Sequence, residues 1–370
     1  MNASGVTLEA LRRYAVTRSL FAPCTLTDAV KKLGYLQADP IRAPARAQDL
    51  ILRHRVIGYR VDDLEKKYAA LPLIEDSIYN YGFFHRDELS LLHPRVASAR
   101  WRDFMAEHAS LRRKVLRYLR ECPEVHPREL EKSLGSGRLV NGWGGSSSAT
   151  TLILEGLHRE GKVHVSRREA GIKIYTVAEK RERSLPHSVR ADGLIQLIIN
   201  LYAPLPLRSL TRFLRVMNAS RPGVDYLARL DLMIKRGEQR AEVIDHVTYV
   251  WPAADSIPEV AAGTVRFLAP FDPVVWDRDR FEHFWGWPYR FEAYTPPAKR
   301  KLGYYALPLL WRDQVIGWAN VESGAAGNTA GFKVQIGYTT KKPARADAPV
   351  FRRELDAEIE RMRWFLDGAR

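Results

Sequence analysis

The run Leu111-Arg-Arg-Lys-Val-Leu-Arg-Tyr-Leu-Arg120 begins the most clearly patterned segment of the chain. Its Leu111, Val115, Leu116 and Leu119 share one helical face, and its arginines fall on the others. A second short helix follows at His126 to Leu134. Beyond the glycine-rich link Asn141-Gly-Trp-Gly-Gly145, Ser147 or Ser148 can cap a third helix carrying Ala149, Leu152, Ile153, Gly156 and Leu157 at helical spacing, with Gly161 ending it. Lys162-Val-His-Val-Ser-Arg-Arg-Glu-Ala-Gly-Ile-Lys-Ile-Tyr-Thr-Val177 then alternates as two strands around a turn near Ala170-Gly171. Three helices and a β-hairpin form a winged-helix pattern, in which the third helix can enter a major groove and the hairpin can lie along the backbone.

The same order recurs at Asp192 to Trp251. Leu194, Ile198 and Leu201 mark one helix, Leu207 to Leu214 a second, and Val224 to Lys235 a third ended by Gly237; Ala241 to Trp251 forms a wing turned at Asp245-His246. A weaker copy begins the chain, with helices at Leu8 to Tyr14 and Leu26 to Leu33, closed by Gly34 before the strand-like Tyr35 to Asp39. After Ala262 the texture changes to Trp- and Pro-rich segments. Strands at Tyr304 to Leu310 and Gln314 to Val321, a surface loop from Thr339 to Pro349 and a closing helix from Arg353 to Leu366 describe a small mixed β domain. The expected fold is α+β: tandem winged helix-turn-helix modules at 1–100, 101–185 and 186–255, with a C-terminal mixed β domain at 256–370.

The chain has 58 Lys+Arg against 43 Asp+Glu, a formal net charge of +15. Arg95 to Arg183 alone holds nineteen basic and eleven acidic residues, so the surplus is uneven. Clustered cations in a chain with a real core (46% hydrophobic) point to a polyanionic partner. Cys24 and Cys122 lie far apart without metal-ligand spacing, giving neither a zinc site nor a disulfide framework. With no signal peptide and no membrane-length apolar run, the expectation is a cytoplasmic, nucleoid-associated protein with no metal, cofactor or membrane partner.

The segment Gly34-Tyr-Leu-Gln-Ala-Asp-Pro-Ile-Arg42 carries the candidate chemistry. If it is extended, Gln37 and Asp39 share a side about 6.6 Å apart while Leu36 and Ala38 face the core. Pro40 stops the ladder. A carboxylate beside an amide can hold one water, the carboxylate taking its proton and the amide fixing its direction. Arg42, Arg46, Arg53 and Arg55 follow and could hold phosphates around the pair, and would keep Asp39 ionised. Arg167 and Arg168 on the hairpin, and Lys299 and Arg300 in a basic run, complete the candidate DNA contacts. A Gln and an Asp at a strand end also occur as a solvated edge or turn cap, and the residues alone leave that alternative open.

Three blocks give the chain a family resemblance. Leu36-Gln-Ala-Asp39 followed by Arg46-Ala47, the tandem helix-and-hairpin modules, and Leu268-Ala-Pro-Phe-Asp-Pro-Val-Val-Trp-Asp-Arg278 with Phe284-Trp-Gly-Trp-Pro-Tyr-Arg-Phe-Glu-Ala-Tyr294, Pro297-Ala-Lys-Arg300 and Gly303-Tyr-Tyr-Ala-Leu-Pro308 resemble the winged-helix DNA glycosylases related to AlkZ and YcaQ. The Gln-x-Asp spelling matches the YcaQ-like form, where the AlkZ-like form has Gln-x-Gln. The resemblance implies a monofunctional base-excision enzyme acting on alkylated or crosslinked purines in double-stranded DNA, with Asp39 activating or orienting water and Gln37 helping to hold it; three dissimilar modules in one chain suit a monomer wrapped on a single duplex. The segment holds no lysine, which argues against a Schiff-base lyase step. Tyr79-Asn-Tyr-Gly-Phe-Phe-His85 departs from the family pattern, its His displaced to position 85. Asp272 and Asp277 read as turn caps rather than catalytic groups. The alternatives from other classes are a noncatalytic winged-helix regulator and a winged-helix protein-interaction module.

Overall fold

The computed structural model describes residues 5–135, 137–140, 145–169, 171–178, 184–260, 262–322, 331–340 and 347–367. Most of the glycine-rich link at 141–145 and Ala170 of the hairpin turn lie outside them, as do residues 341–346 of the expected loop. The chain is α+β and divides into two compact units, 1–64 with 196–212 and 231–370, and 65–195 with 213–230.

The first unit begins with helix Leu8–Ser19, whose N-cap Thr7 accepts from the Ala10 amide, and helix Leu26–Leu33, capped in the same way by Thr25. Gly34 ends the second helix at φ 72°, and a Cβ there would stand 3.3 Å from Leu197 Cγ, so both backbone and space favour glycine. Strand Leu36–Gln37 follows, then helix Ala47–Leu52, all six residues of which are buried. Strand Val247–Pro252 pairs with Leu205–Pro206 on one side and Gln239–Ile244 on the other; Asp245 and His246, both at positive φ, make the tight hairpin turn. A four-stranded antiparallel sheet runs in the order Val265–Phe267, Leu307–Trp311, Gln314–Glu322, Lys333–Tyr338. Helix Ala348–Leu366 packs on its first strand through a face that includes Phe351, Met362 and Phe365. This helix starts within the expected loop from Thr339 to Pro349, because Pro349 falls in the first turn, where a missing N–H costs nothing.

The second unit holds the antiparallel hairpin Leu73–Ser77 with Tyr81–His85 and the helices Ala99–Glu107, Ala109–Glu121, Pro127–Leu134 and Ala149–Arg159. Ser148 caps the last by accepting from the Thr151 amide at 3.3 Å. Strands Val163–Glu169 and Ile172–Val177 pair with a bulge between Val165 and Arg167, and Val125 bridges to Tyr175. Val115, Leu119, Leu130, Ile153, Leu157, Val163 and Ile174 form its core. The apolar periodicity that sets these helices is the periodicity that buries them.

Candidate active site

Gly34 turns the chain out of helix Leu26–Leu33 into the strand that carries Gln37, and Pro40 stops regular pairing just past Asp39. The alternation expected of this strand is not what forms. Gln37 is 7% and Asp39 9% exposed, while Ala38 between them is the more open residue. The strand is only two residues long, and specific polar partners rather than a pleat decide which side chains turn inward.

Gln37 Oε1 accepts from Trp276 Nε1 at 2.9 Å, and the indole lies 4.8 Å, ring to ring, from Tyr202. Asp39 is held twice: its amide donates to Gln48 Oε1 at 3.1 Å, and its Oδ1 accepts from the Ile41 amide at 2.9 Å. Gln48 comes from the first turn of the buried helix Ala47–Leu52. Oδ2 makes no hydrogen bond among the described residues, which leaves one carboxylate oxygen uncommitted. Burial raises the Asp39 pKa above the ordinary carboxylate range, with the Ile41 amide opposing it.

The arginines expected to keep Asp39 ionised do not do so: it forms no ion pair among the described residues. Phenols stand near it instead. Burial raises the pKa of Tyr294 and Tyr305, and the Asp39 charge raises both further. Tyr305 is 4% exposed, and its hydroxyl has no hydrogen-bond partner among the described residues.

The other expected site residues divide between surface and interior. Arg42 is half exposed and pairs with Asp62 at 3.0 Å, Arg46 is half-buried ahead of helix Ala47–Leu52, and Lys299 is exposed. Arg300 donates to the Thr295 carbonyl at 2.8 Å and lies over the Tyr304 ring at 4.9 Å. Arg167 sits on the exposed hairpin beside Glu124, at 2.8 Å, and Glu169.

Arg53, Arg55 and Arg168 are corrections. The Arg55 side chain is fully buried in a two-point pair with Asp272 (2.8 and 3.0 Å) and also donates to the Ile51 and Ser19 carbonyls. Arg53 is paired with the buried Glu358, and Arg168 grips the buried Glu75 with two nitrogens. Carboxylates from distant sequence pair with these guanidiniums in the interior, so none stands free on the surface to meet a duplex backbone. Asp272 and Asp277 cap helices Pro273–Trp276 and Arg278–Trp285, accepting from the Val274 and Arg280 amides. His85 lies buried beside Asp87 at 3.1 Å.

Gln48, Trp276 and Tyr305 were not singled out as site residues in the sequence. Trp276 and Tyr305 do lie in the third resemblance block, but only the fold brings them to the Gln-x-Asp pair. Both cysteines are free, and among the described residues no group of three or more His, Cys, Asp or Glu could hold a metal ion. No helix among them is long and apolar enough to cross a membrane.

The model of the family described as DNA glycosylase AlkZ-like matches residues 30–365, and the chain belongs to that family. The solved structure of the Streptomyces sahachiroi DNA glycosylase AlkZ is similar to it, with a TM-score of 0.63 and 13% identity over 99% of this chain and 98% of that one. At that identity the likeness speaks for the fold.

Proposed function

We propose that this chain is a monofunctional glycosylase that hydrolyses the N-glycosidic bond of N7-alkylated purines in duplex DNA. The observation that carries the reading is the Gln37–Asp39 pair, held by Trp276, Gln48 and the Ile41 amide with Asp39 Oδ2 left for a water.

An N7-alkylated purine is already cationic, so the C1′–N9 bond breaks with its electrons neutralising the leaving base and needs little acid help. Positive charge then develops at C1′ and O4′ of the sugar, where a nearby carboxylate stabilises it. Water adds its oxygen to C1′, and its proton passes to Asp39 Oδ2 while Gln37 limits the water's orientation. The same departure unhooks an interstrand crosslink made through N7, since the leaving group is of the same kind.

The helix and hairpin order in 101–185 and 186–255 supports reading these stretches as winged helices, with 1–100 as a divergent third module and 256–370 as the mixed β domain. Arg42, Arg46, Lys299 and Arg300 in one unit and Arg167 in the other supply backbone contacts. The protein acts as a monomer on nucleoid DNA in the cytoplasm.

Release of 7-methylguanine from an alkylated duplex tests the reading. Wild type releases the base and leaves an abasic strand uncut; Asp39→Asn still binds the duplex but loses release. Equal release by the two proteins contradicts the role given to Asp39, and strand cleavage by wild type contradicts monofunctional chemistry.

A further inference from the structure

The first unit contains a cavity of about 350 Å³, with largely apolar walls but several cationic side chains in its lining, that the proposed excision chemistry does not use. Arg53, His54, Thr264, Arg266, Arg361 and Trp364 are among the residues around it, and none of Gln37, Asp39, Gln48 or Trp276 is. Its volume falls in the range of small-molecule sites.

Its electrostatics are lopsided. Three guanidiniums meet one buried carboxylate, Glu358, which is already fully engaged. Arg53 and Arg361 pair with it, the latter at 3.0 Å, and the Phe267 amide donates to it at 2.8 Å. Arg266 has no hydrogen bond or ion pair among the described residues. Burial pulls its pKa down; Glu358 opposes the shift, and Arg55, Arg361 and Arg53 add to it. His54 reports the same field: its pKa is lowered first by burial and then by Arg53 and Arg266. Two donors there also lack a partner among the described residues. The Arg53 side chain is 3% exposed with its Nε unbonded, and the buried Thr264 hydroxyl is likewise unbonded. Buried donors without acceptors are costly, and an anion is the ligand that satisfies donors and excess positive charge together.

We infer that this cavity binds a phosphate group, contacted by Arg266, the Arg53 Nε and the Thr264 hydroxyl, with Arg361 and Trp364 at its side. The phosphate could come from a free phosphorylated metabolite or from the terminal phosphate of a DNA strand, and the chemistry of capture is the same.

Calorimetry and thermal melting of the full chain test it with inorganic phosphate, AMP and adenosine, against potassium chloride at matched ionic strength. Phosphate and AMP should bind at one site and raise the melting temperature, and adenosine should do neither. Arg266→Gln should weaken AMP binding at least tenfold and Thr264→Val severalfold, while both variants melt cooperatively without ligand. Release of 7-methylguanine by Arg266→Gln should stay at the wild-type rate, so that failure here is separable from failure of the excision chemistry. Tighter binding of a 5′-phosphorylated than of a 5′-hydroxyl oligonucleotide, lost in Arg266→Gln, supports the site with a strand end as source. AMP binding without that preference supports it with a free metabolite as source. A melting shift no larger than the chloride control, or AMP affinity unchanged in Arg266→Gln, overturns the inference.

Discussion

Asp39 is held under opposing demands: its proposed role as proton acceptor requires the ionised form, yet its burial favours the neutral acid. The acid limb of kcat/KM should therefore lie above the ~3.9 of an ordinary aspartate, with activity rising as pH rises through it. Asp39→Asn should remove that limb and lower the rate by roughly 10²–10⁴-fold. A limb at the ordinary value in the wild-type profile would speak against the enclosed carboxylate as base. Asp49 shows the same physics without the chemistry. Burial raises it to about 6, against the help of the Tyr59 hydroxyl bond at 2.6 Å. Its folded pKa exceeds its unfolded one, so its contribution to stability falls as pH rises from about 4 through 6. Asp49→Asn keeps an oxygen that can accept from both Tyr59 and the Asp62 amide. The variant should be more stable than wild type at pH 7 by on the order of 2 kcal/mol, with a flatter stability profile between pH 4 and 6, measured by denaturant unfolding.

Helix Ala47–Leu52 and the residues after it link the candidate site to the interior. Gln48 reaches back to Asp39, and Arg55 reaches forward to Asp272, the cap of the short helix that ends in Trp276, which in turn holds Gln37. Asp272→Ala leaves a buried guanidinium unpaired and should cost about 3–5 kcal/mol, while adding Arg55→Met should recover part of the loss. Thermal melting of wild type and the two variants checks this; equal melting of Asp272→Ala and wild type would remove the link. This chain of contacts also shows what sequence can and cannot reveal. Helix Leu26–Leu33 was legible to the residue, because its apolar spacing and its Gly34 stop are local signals. Gln37 and Asp39 were singled out by their spacing and by the Gln-x-Asp resemblance, and both are buried in the structure. The fate of Arg53 and Arg55 was not, because the carboxylates that bury them lie 305 and 217 residues away. Nor were the phenols beside Asp39, since nothing local says that position 305 comes near position 39.

The net charge of +15 overstates the number of cations free to meet DNA. Arg53, Arg55 and Arg168 spend their charge on interior carboxylates, whereas Lys299 and Arg300 carry no ion pair among the described residues. Duplex affinity should fall with salt with little regard to sequence, at a slope of roughly 0.9 per phosphate neutralised. Lys299→Ala should reduce that slope by about one. Fluorescence anisotropy across a salt series reads it, and a salt-independent affinity would contradict an electrostatic hold on the backbone. The proposed chemistry turns this hold into bond cleavage at Asp39. Single-turnover release of 7-methylguanine from an alkylated duplex, with enzyme saturating so that every substrate is bound, tests that step. Wild type should release the base rapidly, and Asp39→Asn should lose at least a hundredfold at undiminished duplex binding; release at the wild-type rate by the variant, or none by either protein, would contradict the role of Asp39.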